Sequence, residues 1–138
     1  MEDIKFRYEM PAQLRFSDVD RFGHVNNNIY FSLFDMCKTK YLMEVIDEDI
    51  FEKIAIVVVH TEADFRSPIH YKDDITLQTA IVHLGGKSYT LLQRAINAKT
   101  GEVKCECKTV MVCLDFQTNE PILIPEYFRQ AVTKFESR

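Results

Sequence analysis

From about Asn27 the apolar residues recur at intervals of three and four: Ile29, Tyr30, Leu33, Phe34, Cys37, Tyr41, Leu42, Val45 and Ile46. This spacing predicts one apolar face of a helix roughly five turns long. Asn26 or Asn27 stands where an N-cap belongs. Ahead of it, AQLRFS (12–17) reads as a short strand. Four extended segments follow the helix. IAIVVVHTEADFRS (54–67) opens as an apolar run and then alternates, and DITLQTAIVHL (74–84) alternates through Ile75, Leu77, Thr79 and Ile81. After the turn Gly85-Gly86 comes KSYTLLQRAINA (87–98). The turn at residues 99–102 leads to VKCECKTVMVCLDF (103–116). The last of these is fully apolar from Val110 to Leu114, which predicts burial on both faces, at the sheet centre or at a subunit contact. Pro125 opens a terminal helix, EYFRQAVTKFE, near the first turn, where proline is tolerated.

The predicted order is strand, long helix, four strands, short helix. Consecutive strands joined by short turns favour an antiparallel sheet, and one long apolar helix against such a sheet is an α+β arrangement. With 138 residues and no repeat or linker, residues 1–138 are read as a single domain. A domain of this size buries enough surface to fold without disulfides. The cysteines Cys37, Cys105, Cys107 and Cys113 show no Cys-x-x-Cys spacing, so buried reduced thiols are expected and no metal site. The net charge of −4 argues against a nucleic-acid partner held by bulk positive charge. The charged start MEDIKFRYEM lacks a signal-peptide core, and no apolar run reaches membrane-spanning length. A cytoplasmic location is the expectation, with no membrane or nucleic-acid partner.

The polar density lies in SDVDRFGHVNNNIY (17–30), just ahead of the long helix. Read from spacing alone, Asp20 is a loop carboxylate that caps a turn, and Asn26, Asn27 and Asn28 supply a helix cap. The same residues also suit chemistry: a carboxylate placed near the free amides of a helix N-terminus can act as base or nucleophile while those amides polarise a carbonyl. Gly23 permits a tight bend. Asp18 reads as support for the loop. His24, whose imidazole titrates near neutrality, is a candidate for contact with substrate or with Asp20. His60, His70 and His83 are scattered on strands and turns.

The string DVDRFGHVNNNIYFSLFDMCKTKYL resembles the signature of the 4-hydroxybenzoyl-CoA thioesterase family, with Asp18, Asp20, Gly23, Val25 and Tyr30 at the motif positions. FRSPIHYKDDITLQTAIVHLGGKSYTLLQRAI and LDFQTNEPILIPE are similar to later segments of that family, so the likeness covers nearly the whole chain. The resemblance implies a hotdog fold, a five-stranded antiparallel sheet wrapped around one long helix. It implies an acyl-CoA thioesterase without a cofactor, working as a homodimer or homotetramer with sites at the subunit interface. Carried onto this chain, it makes Asp20 the catalytic carboxylate, as general base or nucleophile, and the N–H at Asn27 the oxyanion donor. His24 joins them as a candidate, and Tyr30 lies near the acyl tunnel. His60 gains a case because the strand after the helix borders the acyl site. Lys87 and Ser88 become candidates for CoA, with Arg66 and Arg94 beside them. Phe31, Phe34 and the run Ile56 to Val59 suit either an acyl channel or a core.

Three other readings compete. Hydrolysis of acyl groups from acyl carrier protein would favour a broad basic surface. A non-catalytic acyl-CoA-binding hotdog protein would not need the full acidic motif. A hotdog dehydratase would place its catalytic histidine in a different context.

Overall fold

The computed structural model describes residues 4–46 and 50–137; the first three residues of the charged N-terminus lie outside them. In chain order the elements are β1 (Tyr8–Pro11), α1 (Asn27–Val45), a one-turn α2 (Ile50–Lys53), β2 (Ile54–Phe65), β3 (Ile75–Leu84), β4 (Ser88–Asn97), β5 (Val103–Asp115) and α3 (Glu126–Glu136). The strands form one antiparallel sheet in the order β1-β3-β4-β5-β2. Short turns force β3-β4 and β4-β5 into neighbouring antiparallel pairs.

The predicted elements recur with one correction. The first strand is Tyr8–Pro11, not 12–17. Its pairing with β3 ends as Ala12 N donates to Ile75 O at 2.9 Å, because β3 begins at Ile75 and offers nothing further to pair with. Residues 16–18 instead close a 3-10 turn, and Phe16 stands 80% exposed. The apolar alternation there had no neighbouring strand to complete it.

Helix α1 lies across one face of the sheet. Its first half buries Tyr30, Leu33, Phe34 and Cys37 against Ile75, Leu77, Ala95, Cys105 and Cys107. Its second half buries Tyr41 and Leu42 against Ile81, Tyr89, Leu91 and Met111, joined by Phe128 and Val132 of α3. Glu136 clasps the end of α3 to this layer: its carboxylate accepts from the Tyr41 hydroxyl and, at 3.2 Å, from Ile81 N. In β5, Met111 and Cys113 are buried beneath the helix, while Val110, Val112 and Leu114 on the other face are half-buried. Burial on both faces is therefore only partial, although β5 is an interior strand as expected. All four cysteines are buried and unbridged.

At the far edge, β2 runs for twelve residues with one side unpaired. Val57, Val58 and Val59 are exposed on it. Among the described residues, no helix is long and apolar enough to cross a membrane.

Candidate active site

The loop from Asp18 to Asn26 is built on its two aspartates. Asp18 is 2% exposed. Its Oδ2 accepts Arg15 N at 2.8 Å, and its Oδ1 accepts the Arg15 guanidinium at 3.0 and 3.2 Å. Burial pushes the Asp18 carboxyl up, but the Arg15 amide and guanidinium outweigh it and hold the pKa below the usual carboxylate range. The Asp18 carbonyl accepts Asn26 N at 2.9 Å and Asn26 Nδ2 at 3.3 Å. Asp18 thus supports the loop, as its position suggested. Asn26 is the N-cap of α1 by position, but its side chain bonds backward to Asp18 and does not cap the first turn. The expected N-cap position is thus borne out at Asn26, and the expected side-chain cap is replaced by a loop tie.

Asp20 closes the loop from within. Asp20 N donates to His24 O at 2.8 Å, and Gly23 N to Asp20 O at 3.0 Å. Gly23 adopts φ +80°, a conformation that costs any residue with a Cβ. The Asp20 carboxylate accepts Phe22 N at 2.9 Å and His24 N at 3.1 Å, both on Oδ1. Its Oδ2 has no hydrogen-bond partner among the described residues. The turn-capping and the chemical readings of Asp20 therefore use different oxygens of one carboxylate.

That carboxylate, His24, Asn27, Asn28 and Tyr30 line a cavity of about 540 Å³ with the segment from Phe65 to Pro68. Ile29 N donates to Asn26 O at 2.9 Å, but the Asn27 and Asn28 amides of α1 have no acceptor among the described residues and no side-chain cap. The positive end of the helix dipole and the Asp20 side chain, one of whose oxygens is unpaired, thus border one cavity. Opposite them, Arg66 N and Ser67 N donate to Lys104 O at 2.9 and 3.1 Å, which ties the cavity wall to the start of β5. The Tyr30 ring packs on Phe65 at 5.1 Å, and its hydroxyl accepts Ile69 N at 3.3 Å. Burial raises the Tyr30 pKa, so it stays a neutral phenol.

The predicted residues divide into two groups. Asp20, Gly23, His24, Asn27 and Tyr30 belong to one cavity and the loop that builds it. Lys87 and Ser88 do not reach it within one protomer. Ser88 begins β4 and Lys87 precedes it, whereas Ala95, near the strand's other end, pairs with Cys105 beside Lys104. Ser88 and Ala95 are seven positions apart on the strand, roughly 23 Å at 3.3 Å per residue. Their turn is held instead by Arg129, which donates to Gly85 O at 2.9 Å and Gly86 O at 3.3 Å. His60 stands exposed on β2, 3.5 Å from Glu62. Arg94 is committed to Glu106 at 2.6 Å, while Arg66, also 3.2 Å from Glu106, borders the cavity. Sequence reasoning missed the wall Phe65, Ser67 and Pro68; the break Ser67-Pro68 after a strand was the signal for it. It also passed over His70, whose ring meets His24 edge-on at 4.9 Å.

An antiparallel sheet packed on one long helix, with a carboxylate at that helix's N-terminus, is the hotdog architecture. The chain belongs to the Thioesterase-like superfamily, whose family model matches residues 14–132. It is 25% identical over 129 residues to the acyl-CoA thioester hydrolase YbgC of Escherichia coli O157:H7, covering 91% of this chain and 94% of that one. It is 26% identical over 127 residues to the long-chain acyl-CoA thioesterase FadM of Escherichia coli strain K12, covering 88% and 94%. The crystal structure of a thioesterase from Thermus thermophilus, complexed with coenzyme A and Zn, superposes with a TM-score of 0.84. Its identity is 25%, over 96% of both chains.

Proposed function

We propose that this thioester hydrolase cleaves acyl-CoA to the free acid and CoA, with Asp20 as its catalytic carboxylate. One observation carries the reading: Asp20 and the N-terminus of α1 line the same cavity. In this reading the thioester carbonyl lies at the helix N-terminus, and the Asn27 and Asn28 N–H groups donate to its oxygen as negative charge develops there. Asp20 Oδ2 then either takes a proton from the water that attacks the carbonyl and displaces the CoA thiolate, or attacks the carbonyl itself, breaking the C–S bond and releasing CoA thiolate to leave an acyl-aspartyl anhydride that water cleaves to the free acid. Both routes use the oxygen that the loop leaves free. His24 and Tyr30 border the reacting group, and Gly23 gives the loop its bend.

The same reading makes the enzyme a homodimer, or a pair of such dimers, joined through β2. That strand is a long edge with three exposed valines, which a second copy covers by extending the ladder. Antiparallel pairing about the middle of β2, near His60, sets the Phe65 end of one copy beside the Ile54 end of the other. Ile54 pairs with Asp115, and Val112 of β5 pairs with Ser88. The partner's Lys87 and Ser88 would thereby approach the Asp20 cavity, where an ammonium and a hydroxyl suit the phosphates of CoA. The four thiols fit a reducing compartment, the cytoplasm.

The test is thiol release from a panel of acyl-CoAs by the wild type and Asp20→Asn. Turnover by the wild type with at least roughly a 10²-fold loss in the variant is expected. Equal turnover by the two removes Asp20 from the mechanism.

A further inference from the structure

We propose that the acyl site prefers acyl groups bearing a hydroxyl, and that Gln93 is the residue that reads it. The proposal rests on the thioesterase reading above. A second cavity, about 230 Å³, opens along α1 between the helix and the β2-β5 side of the sheet. Phe31, Phe34, Asp35, Lys38, Thr61, Gln93 and Thr109 are among its walls. Its neighbour is the Asp20 cavity, and a single ring stands at the boundary. Phe65, in the wall of the first, packs on Tyr30 at 5.1 Å and on Phe31 at 6.2 Å. An acyl group whose carbonyl lies at Asn27 therefore extends along α1 toward this second space.

The far end of that path is polar. Gln93 is 2% exposed. Its Nε2 donates to the Phe34 carbonyl and to Thr79 Oγ1, each at 2.8 Å. A carbonyl can only accept, so the amide is fixed with its nitrogen on the helix. Gln93 Oε1 has no partner among the described residues. Tyr89 Oη is the one side-chain polar atom among them that is both sealed from solvent space and unpaired. Gln93 Oε1 is thus not sealed; it opens onto the cavity that its residue lines. Around it stand the hydroxyls of Thr61 and Thr109, 3.0 Å apart, and Lys38, largely buried and 3.0 Å from Asp35. Phe34 lies seven residues beyond Asn27, roughly 10 Å along the helix.

The chemistry of these groups selects the ligand. Gln93 Oε1 needs a donor, Lys38 and Asp35 are already paired with each other, and the threonines serve as donor or acceptor. A hydroxyl gives Gln93 its hydrogen and can accept one from a threonine. A carboxylate has no hydrogen for Gln93 and meets the Asp35 carboxylate, and an ammonium meets the Lys38 ammonium. A plain alkyl chain displaces water and strands the buried acceptor, which sites built to bond a hydroxyl reject strongly.

The test compares kcat/KM for ω-hydroxyoctanoyl-CoA and octanoyl-CoA. A preference for the hydroxylated substrate of roughly tenfold or more is expected. Gln93→Met, which keeps the volume and removes the acceptor, is expected to abolish it; Thr109→Val, which leaves Gln93 in place, is expected to reduce it. Equal kcat/KM values, a preference that survives in Gln93→Met, or a stronger preference for the ω-carboxy analogue overturns the proposal. Calorimetric binding of the wild type to the non-hydrolysable ω-hydroxyoctyl-CoA and octyl-CoA thioethers separates this proposal from the thioesterase reading, and needs no variant to fold. Tighter binding of the hydroxylated thioether without any thioester turnover supports the groove while rejecting catalysis. Equal affinity, or binding of neither, rejects the groove.

Discussion

Asp20 Oδ1 accepts the backbone N–H of His24 at 3.1 Å, so the proposed catalytic carboxylate is also the clamp of its own loop. Substitutions at this residue should therefore separate two effects. Asn retains a carbonyl oxygen for the Phe22 and His24 amides and loses only the charge. Asp20→Asn should unfold within a few degrees of the wild type, with the turnover loss stated above. Asp20→Ala strands both amides and should lose a further ~1 kcal/mol of stability. Thermal melts beside thiol-release assays make the comparison; equal melting of the two variants would show that the clamp contributes nothing.

Gly23 has φ +80°, and a Cβ built there meets no atom within 4 Å. Space is thus available and only the backbone resists. Gly23→Ala should lower stability by ~1 kcal/mol through conformational strain. Activity should fall more than stability, because the loop relaxes away from the geometry that aims Asp20. Melting midpoints and kcat measured on one preparation decide this.

Asp18 should give the protein an acid-sensitive brace. Its folded pKa lies below the ordinary 3.8, so its stabilisation is present above about pH 4 and lost as the pH falls through the lower folded value. At pH 7, Asp18→Asn should cost about 1–3 kcal/mol, the range for a buried charge-assisted hydrogen bond. The difference between variant and wild type should shrink as the pH falls below 4. Denaturant titrations at pH 7 and pH 3 would expose a constant gap, which would contradict this account.

If β2 joins two copies, a charge on its exposed edge should part them. Val59 is 57% exposed, so Val59→Lys disturbs no core contact. Light scattering should show a shift from dimer or tetramer to monomer, with turnover falling in parallel because the partner's Lys87 and Ser88 leave the site. A wild type that is monomeric at working concentration would remove the interface.

The thiols should be inert in the folded protein. Burial raises Cys105 to about 12, with Cys107 adding to it, and burial likewise raises Cys113 to about 11. Thiolate, the reactive form, is then scarce at neutral pH. A disulfide reagent should label the four cysteines slowly in buffer and fully in denaturant. Rapid native labelling would show that the core around β5 opens.

The long helix, the four later strands and the turns between them were legible because their periods of 3.6 and 2 are local properties of the chain. The carboxylate at the start of the helix was legible for the same reason: it lies seven residues from Asn27, and a loop of that length keeps the two close. The first strand was misplaced because alternation marks a segment able to form a strand, not one that has a partner. Only β3, starting at Ile75, decides where pairing stops. The spacing placed the N-cap at Asn26 correctly, but not its side chain, whose Nδ2 donates to Asp18 O, eight positions back, while no side-chain cap forms.

Gln93 shows the limit most clearly. In sequence it is one polar residue on an alternating strand, with nothing to mark it as buried. Packing brings its amide under the Phe34 carbonyl, 59 positions away, and leaves one oxygen without a partner. Local spacing dictates which elements form and places the Asp20 carboxylate, the proposed catalytic group, beside its helix. Contacts between residues distant in the chain decide the wall from Phe65 to Pro68, the distance from Asp20 to Lys87, and which buried groups are left unsatisfied, because burial and pairing depend on neighbours that no short stretch of sequence contains.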